Sequence, residues 1–128
     1  MLKIPSKVES LKEVEKLVDE ISAELGLENS LYGNVLISII EAVNNSIMHG
    51  NKLDERKKVI LEVDVIEGQL RINVNDEGEG FDFAKIPDPT APENLENVNG
   101  RGIFLMKQLS DNIEFHEGGK KVEIQFNL

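Results

Sequence analysis

A chain of 128 residues has room for one domain with a core of its own. It contains no cysteine, which excludes disulfides, thiolate nucleophiles and thiolate metal sites. A formal charge of −10 argues against nucleic acid or an anionic membrane surface as a partner, and the short basic runs Arg56-Lys57-Lys58 and Lys120-Lys121 do not reverse that balance.

No apolar run approaches the length of a membrane span, and the N-terminus lacks the apolar segment of a signal peptide, so the expected location is the cytoplasm. Leu2 and Ile4 share one face of a short first strand, which Pro5 ends or marks as a sheet edge. Ser10 and Glu13 form a capping-box signature ahead of Leu11, Val14, Leu17, Val18, Ile21 and Leu25 at helical spacing, with Gly26 as the stop. A second helix, capped at Asn29 or Ser30, carries Leu31, Val35, Leu36, Ile39, Ile40, Val43 and Ile47 and ends near Gly50.

After a charged connection over 51–58 the period becomes twofold. Leu61, Val63 and Val65 share one face of a strand, and Leu70, Ile72 and Val74 one face of the next. A two-residue turn at Glu67-Gly68 sets Val65 opposite Leu70, Val63 opposite Ile72 and Leu61 opposite Val74, so both apolar sets fall on one side. A Gly118-Gly119 turn likewise sets Phe115 opposite Val122 and Ile113 opposite Ile124. Between the hairpins, Ile103, Met106 and Leu109 predict a helix starting after Gly102. The pattern predicts an α+β fold, a two-layer α/β sandwich with helices on one face of a mixed or antiparallel sheet.

Chemistry concentrates in three places. The first is the run from Glu41 to Asn51, where Asn44, Asn45 and Ser46 interrupt an apolar helix although Asn is a mediocre helix former. Glu41 and Asn45 lie one turn apart on one face, roughly opposite the stripe Val35, Ile39, Val43 and Ile47. The second is Asp76, which continues the inward series Leu70, Ile72 and Val74 and so carries a carboxylate into the layer between sheet and helices. Gly78 and Gly80 follow it and allow close approach of backbone, and a buried carboxylate beside such backbone suits the exocyclic amine of adenine.

The third place is Gly100-Arg101-Gly102-Ile103, read as glycines leading into a helix N-terminus whose free amides favour phosphate, with Arg101 adding charge. Before it, the Pro- and Asn-rich segment of about 81–99 has no periodicity and reads as a lid. His49 and His116 have no partner at metal-ligand spacing and read as structural or surface residues; Glu77, Glu79 and Asp82 read as a solvated acidic rim. No Ser-His-Asp or Cys-His arrangement points to covalent catalysis.

Glu-x-x-x-Asn on a helix, Asp-x-Gly-x-Gly after a strand and Gly-x-Gly at a helix start, in that order, resemble the Bergerat ATP-binding fold shared by histidine kinases, gyrase and MutL. Within that fold the chain, over nearly its whole length and as a single domain of 1–128, looks most like the anti-sigma factor and serine-protein kinase family of bacterial partner-switching regulators. The resemblance implies one ATP-binding domain in which Glu41 is the general base, Asn45 the Mg²⁺ ligand and Asp76 the acceptor for the adenine amino group. It implies that Gly78 and Gly80 shape the adenine pocket, while Gly100, Gly102 and the Ile103 amide face the phosphates; Arg101 as a phosphate contact is an addition from the residues themselves.

The function implied is a Mg-ATP-dependent serine/threonine-protein kinase that phosphorylates a STAS-like anti-anti-sigma protein and sequesters a sigma factor. A homodimer through the N-terminal strand and helix is implied too. The alternative is an ATP-gated binding module of the same fold without significant transfer, against which a retained Glu41 weighs. A histidine-kinase catalytic domain ranks third, and the Pro- and Asn-rich segment departs from the lids of the best-known kinases of the family.

Overall fold

The computed structural model describes residues 1–78 and 98–128, with the backbone alone at 98–101. The elements run β1 (Leu2–Pro5), α1 (Leu11–Leu25), α2 (Asn29–Asn45), β2 (Lys58–Ile66), β3 (Gln69–Asn75), α3 (Val98–Leu109), β4 (Asn112–His116) and β5 (Lys121–Asn127), in the predicted order. The five strands form one sheet, ordered β1-β2-β3-β5-β4. Every strand pairing among the described residues is antiparallel, so the sheet is antiparallel rather than mixed: each hairpin makes its own antiparallel pair, and the two hairpins abut through β3 and β5 running in opposite directions.

The inner face of the sheet and the three helices close on one core. Ile4, Val59, Leu61, Leu70, Ile72, Val74, Val122, Ile124 and Phe126 come from the strands; Val14, Val18, Ile21, Val35, Ile39, Val43, Ile103 and Met106 come from the helices. Burial of a side chain of this size stabilises by about 1.5–3 kcal/mol relative to leaving it in water, which is why the helices stay on the sheet. The expected registers hold, with Val65 opposite Leu70 and Leu61 opposite Val74. Phe115 faces Val122 in the second hairpin. Glu67 and Gly68 have φ of 52° and 76°, the two left-handed residues that a tight hairpin turn needs. Val65 is half exposed on the part of β2 that runs beyond its pairing with β1.

Three details at the predicted ends of α1 and α2 differ. Ser10 does not cap α1: a 3-10 turn at Val8–Ser10 precedes the helix, Ser10 already has helical backbone angles, and its hydroxyl donates to the Pro5 carbonyl at 2.8 Å. The extended residue before α2 is Glu28, without a side-chain cap, so that helix is held by its buried stripe. The end of α1 at Gly26, in a left-handed conformation with φ of 63°, is as expected.

The last difference matters most. The helical run ends at Gly50 as expected but without a left-handed cap; α2 widens there into a π-helical turn, Ser46–Gly50, in which the Asn51 amide donates to the Ser46 carbonyl at 2.7 Å. Lys52 and Leu53 then take φ of 52° and 60°, a conformation that costs a non-glycine residue about 1–2 kcal/mol each, and turn the chain towards β2.

Candidate functional site

The site is built where the π-helical end of α2 meets the end of β3 and the first half of α3. Val35, Ile39, Val43 and Ile47 are fully buried, which fixes the roll of α2 and leaves Glu41 and Asn45 together on the side that faces α3. The contact with α3 is at Gly102. A Cβ on Gly102 would lie 2.8 Å from Oε2 of Glu41 and 3.4 Å from Nδ2 of Asn45, so the missing side chain is what lets a carboxylate and a carboxamide sit against that helix. Partial burial pushes the Glu41 carboxyl above its ordinary range, the direction a proton acceptor working near neutral pH requires.

The start of the helix that carries Gly102 differs from the prediction. The helix begins at Val98 and not after Gly102, so the Gly100 amide falls among its free first-turn donors while the amides from Arg101 on, those of Gly102 and Ile103 included, have helical partners. A glycine pair reads as a breaker, and propensity is overridden here because α2 needs the space beside α3. Ile103 is buried in the core. Gly80, Glu79, Asp82 and the expected lid lie outside the described residues, apart from Val98 and Asn99, which open α3.

Asp76 lies one residue beyond β3, its backbone held by the Lys120 carbonyl at 2.9 Å. Its carboxylate accepts the Gly78 amide at 2.8 Å and the Ser46 hydroxyl. Burial pushes its carboxyl up, and those two donors, with the charges of Lys120 and Lys57, pull it partly back. A carboxylate has about four acceptor positions. Two are taken, and the remainder can accept from an exocyclic amine.

The two glycines beside Asp76 are there for space. A Cβ on Gly50 would come within 2.4 Å of Oδ2 of Asp76, and one on Gly78 within 1.9 Å of the Gly50 carbonyl oxygen. The close approach anticipated at Gly78 is thus made to the end of α2. Ser46 and Asn51 escaped the sequence reading as partners of this turn. The signal was present for Ser46, which is one turn beyond buried Ala42 and so had to point inward.

A divalent cation fits the donor set in one way only. Among the described residues no group of three or more His, Asp and Glu side chains could hold a metal, whereas Mg²⁺ typically takes one or two protein ligands and completes its shell with phosphate and water. His49 is exposed, and His116 pairs at the surface with Glu114 at 3.5 Å, as expected of residues outside the site.

Residues 4–126 match the family model of the histidine kinase-like ATPase domain. The chain belongs to that family. It is similar to the serine-protein kinase RsbW of Listeria innocua, 26% identical over 121 residues that make up 90% of this chain and 77% of the kinase. The RsbW kinase of Bacillus subtilis is 25% identical over 88% of this chain and 74% of its own length. An anti-sigma F factor of Clostridium perfringens is 33% identical over 69% of this chain and 64% of that protein.

Among solved structures, the RsbU and RsbW domains of a Mycobacterium tuberculosis protein align over 98% of this chain and 31% of theirs, with a TM-score of 0.62 and 17% identity. A histidine kinase domain from the blue-light activated kinase of Erythrobacter litoralis aligns over 98% of this chain and 62% of its own, with a TM-score of 0.57 and 22% identity. Both share the α+β fold of the histidine-kinase-like ATPases. No described helix is long and apolar enough to cross a membrane.

Proposed function

We propose that this chain is a Mg-ATP-dependent serine/threonine-protein kinase of the anti-sigma type, which phosphorylates a STAS-like anti-anti-sigma protein and sequesters a sigma factor in the cytoplasm. The observation that carries the reading is Glu41 and Asn45 side by side against Gly102, on the helix whose far end meets Asp76. The relatives named as serine-protein kinases and anti-sigma factors support the same reading.

Asp76 accepts the adenine amino group, with the turn at Gly78 beside it, and the free first-turn amides of α3, ending at Gly100, supply donors for phosphate while Arg101 adds charge. Asn45 would hold Mg²⁺, which would supply neutralisation of the phosphate charge. Glu41 orients the serine hydroxyl and takes its proton as that oxygen attacks the terminal phosphorus and ADP leaves. Positioning and charge neutralisation provide most of the acceleration in such transfers, so one carboxylate suffices as base.

Glu41→Ala tests this. Transfer of labelled phosphate from ATP to a STAS-domain protein should fall to background while ATP affinity stays within a few-fold. Full transfer in that variant would overturn the reading. Tight nucleotide binding with no transfer even in the wild type would favour the ATP-gated binding module.

A further inference from the structure

We infer that Asn51 is a positioning residue for the nucleotide site, fastening the turn that carries Asp76 to the connection between β1 and α1. The inference rests on Asp76 as the adenine acceptor. Asn51 is 1% exposed, a poor place for a carboxamide unless its polar atoms are paired. Its Nδ2 donates to the Ser6 hydroxyl oxygen at 2.9 Å and to the Lys58 carbonyl at 3.0 Å, and its Oδ1 accepts the Glu77 amide at 2.8 Å. Ser6 is fully buried, and its hydroxyl donates a hydrogen bond to the Lys57 carbonyl at 2.6 Å.

Four segments meet at this one side chain: the π-helical end of α2, the residue after β1, the start of β2, and the residue that follows Asp76. The Glu77 carboxylate doubles the attachment by accepting the Lys58 amide at 2.9 Å. With Glu77 pinned by backbone and side chain, Gly78 is held where its amide meets Oδ1 of Asp76. The carboxylate that recognises the base is thus aimed by a chain of bonds beginning at Ser6, outside the nucleotide pocket. Recognition that depends on aim loses more than recognition that depends on charge, because a displaced acceptor no longer discriminates an amine from a carbonyl.

The substitutions separate aiming from folding. Asn51→Ala strips all three bonds, and Ser6→Ala removes one and leaves the Lys58 and Glu77 bonds in place. Binding of ATP and of GTP, which carries a carbonyl where ATP has its amine, is measured by calorimetry on the folded variants. Asn51→Ala should weaken ATP binding roughly ten- to hundredfold and Ser6→Ala roughly threefold, with the ATP-to-GTP preference falling in step. If Asn51→Ala does not fold, Ser6→Ala carries the test. Variants that are less stable but keep the wild-type ATP affinity and ATP-to-GTP ratio would overturn the inference. Asp76→Asn is the control: wild-type ATP affinity there would sink the adenine reading itself, whereas a loss there with Ser6→Ala and Asn51→Ala unaffected would sink only the role of Asn51.

Discussion

The β2–β3 hairpin and the junction of α2, β3 and α3 both depend on glycine, for opposite reasons. At the hairpin Gly68 supplies a φ of 76° and an added Cβ would meet nothing within 4 Å. At the junction Gly50, Gly78 and Gly102 have no left-handed φ, and an added Cβ would strike Asp76, the Gly50 backbone or Glu41. One region uses the residue for its conformation and the other for the room it leaves. Glycines of the second kind mark where functional groups are pressed together.

The largest effect that tests this contrast should come from Gly78→Ala. Its Cβ would sit 1.9 Å from a backbone oxygen that cannot rotate away. Overpacking of this kind costs about 3 kcal/mol, and the denaturation midpoint should fall accordingly, together with loss of stabilisation by ATP. A wild-type midpoint would break the comparison.

Gly102→Ala should behave differently, since the atom 2.8 Å away is the end of the flexible Glu41 side chain. Alanine favours a helix by about 1 kcal/mol over glycine, so the fold should be retained or strengthened. If Glu41 is the proposed base, displacing it by an ångström should nevertheless slow phosphoryl transfer about a hundredfold. Unaltered transfer would show that Glu41 does not need its place against α3.

A smaller effect is expected from pH. Burial is the main force on the half-buried Asp76 carboxyl and raises it above its ordinary range in the folded chain. Folding therefore favours the protonated group, and this contribution is present below the unfolded carboxylate range and lost as pH rises through the raised value. Asp76→Asn cannot ionise, so its stability relative to the wild type should improve from acid to neutral pH while stabilisation by ATP disappears. A gap between the two denaturation curves that is independent of pH would contradict this. Smallest of all, Gly68→Ala should cost about 1 kcal/mol and leave the ATP-induced thermal shift intact.

These glycines also show how much was legible in the sequence. Twofold and helical periodicity gave the elements and both hairpin registers, because burial on one face leaves few alternatives for Val63 against Ile72 or Ile113 against Ile124. Asp76 was legible because it is charged where the strand pattern runs inward, and Glu41 and Asn45 because they share one face of α2 opposite its buried stripe. The start of α3 was missed because local propensity treats Gly100 and Gly102 as breakers, whereas the need for space is set by α2, distant in sequence. Ser10 was misread for a similar reason: its hydroxyl turns to Pro5 and not to its own helix. Asn51 was invisible because its three partners belong to three other segments, and no local pattern records them.

The bonds of Asn51 span 45, 7 and 26 positions of chain. The β2–β3 hairpin and the α1–α2 pair can form from neighbouring residues, whereas β1 reaches Leu61 of β2 only from Leu2, after both helices have folded back. A chain still growing from its N-terminus has Ser6 and Asn51 early but cannot fasten Glu77 until β3 is made, and Gly102 comes later still. On the proposed reading, a half-made chain should therefore fail to bind ATP.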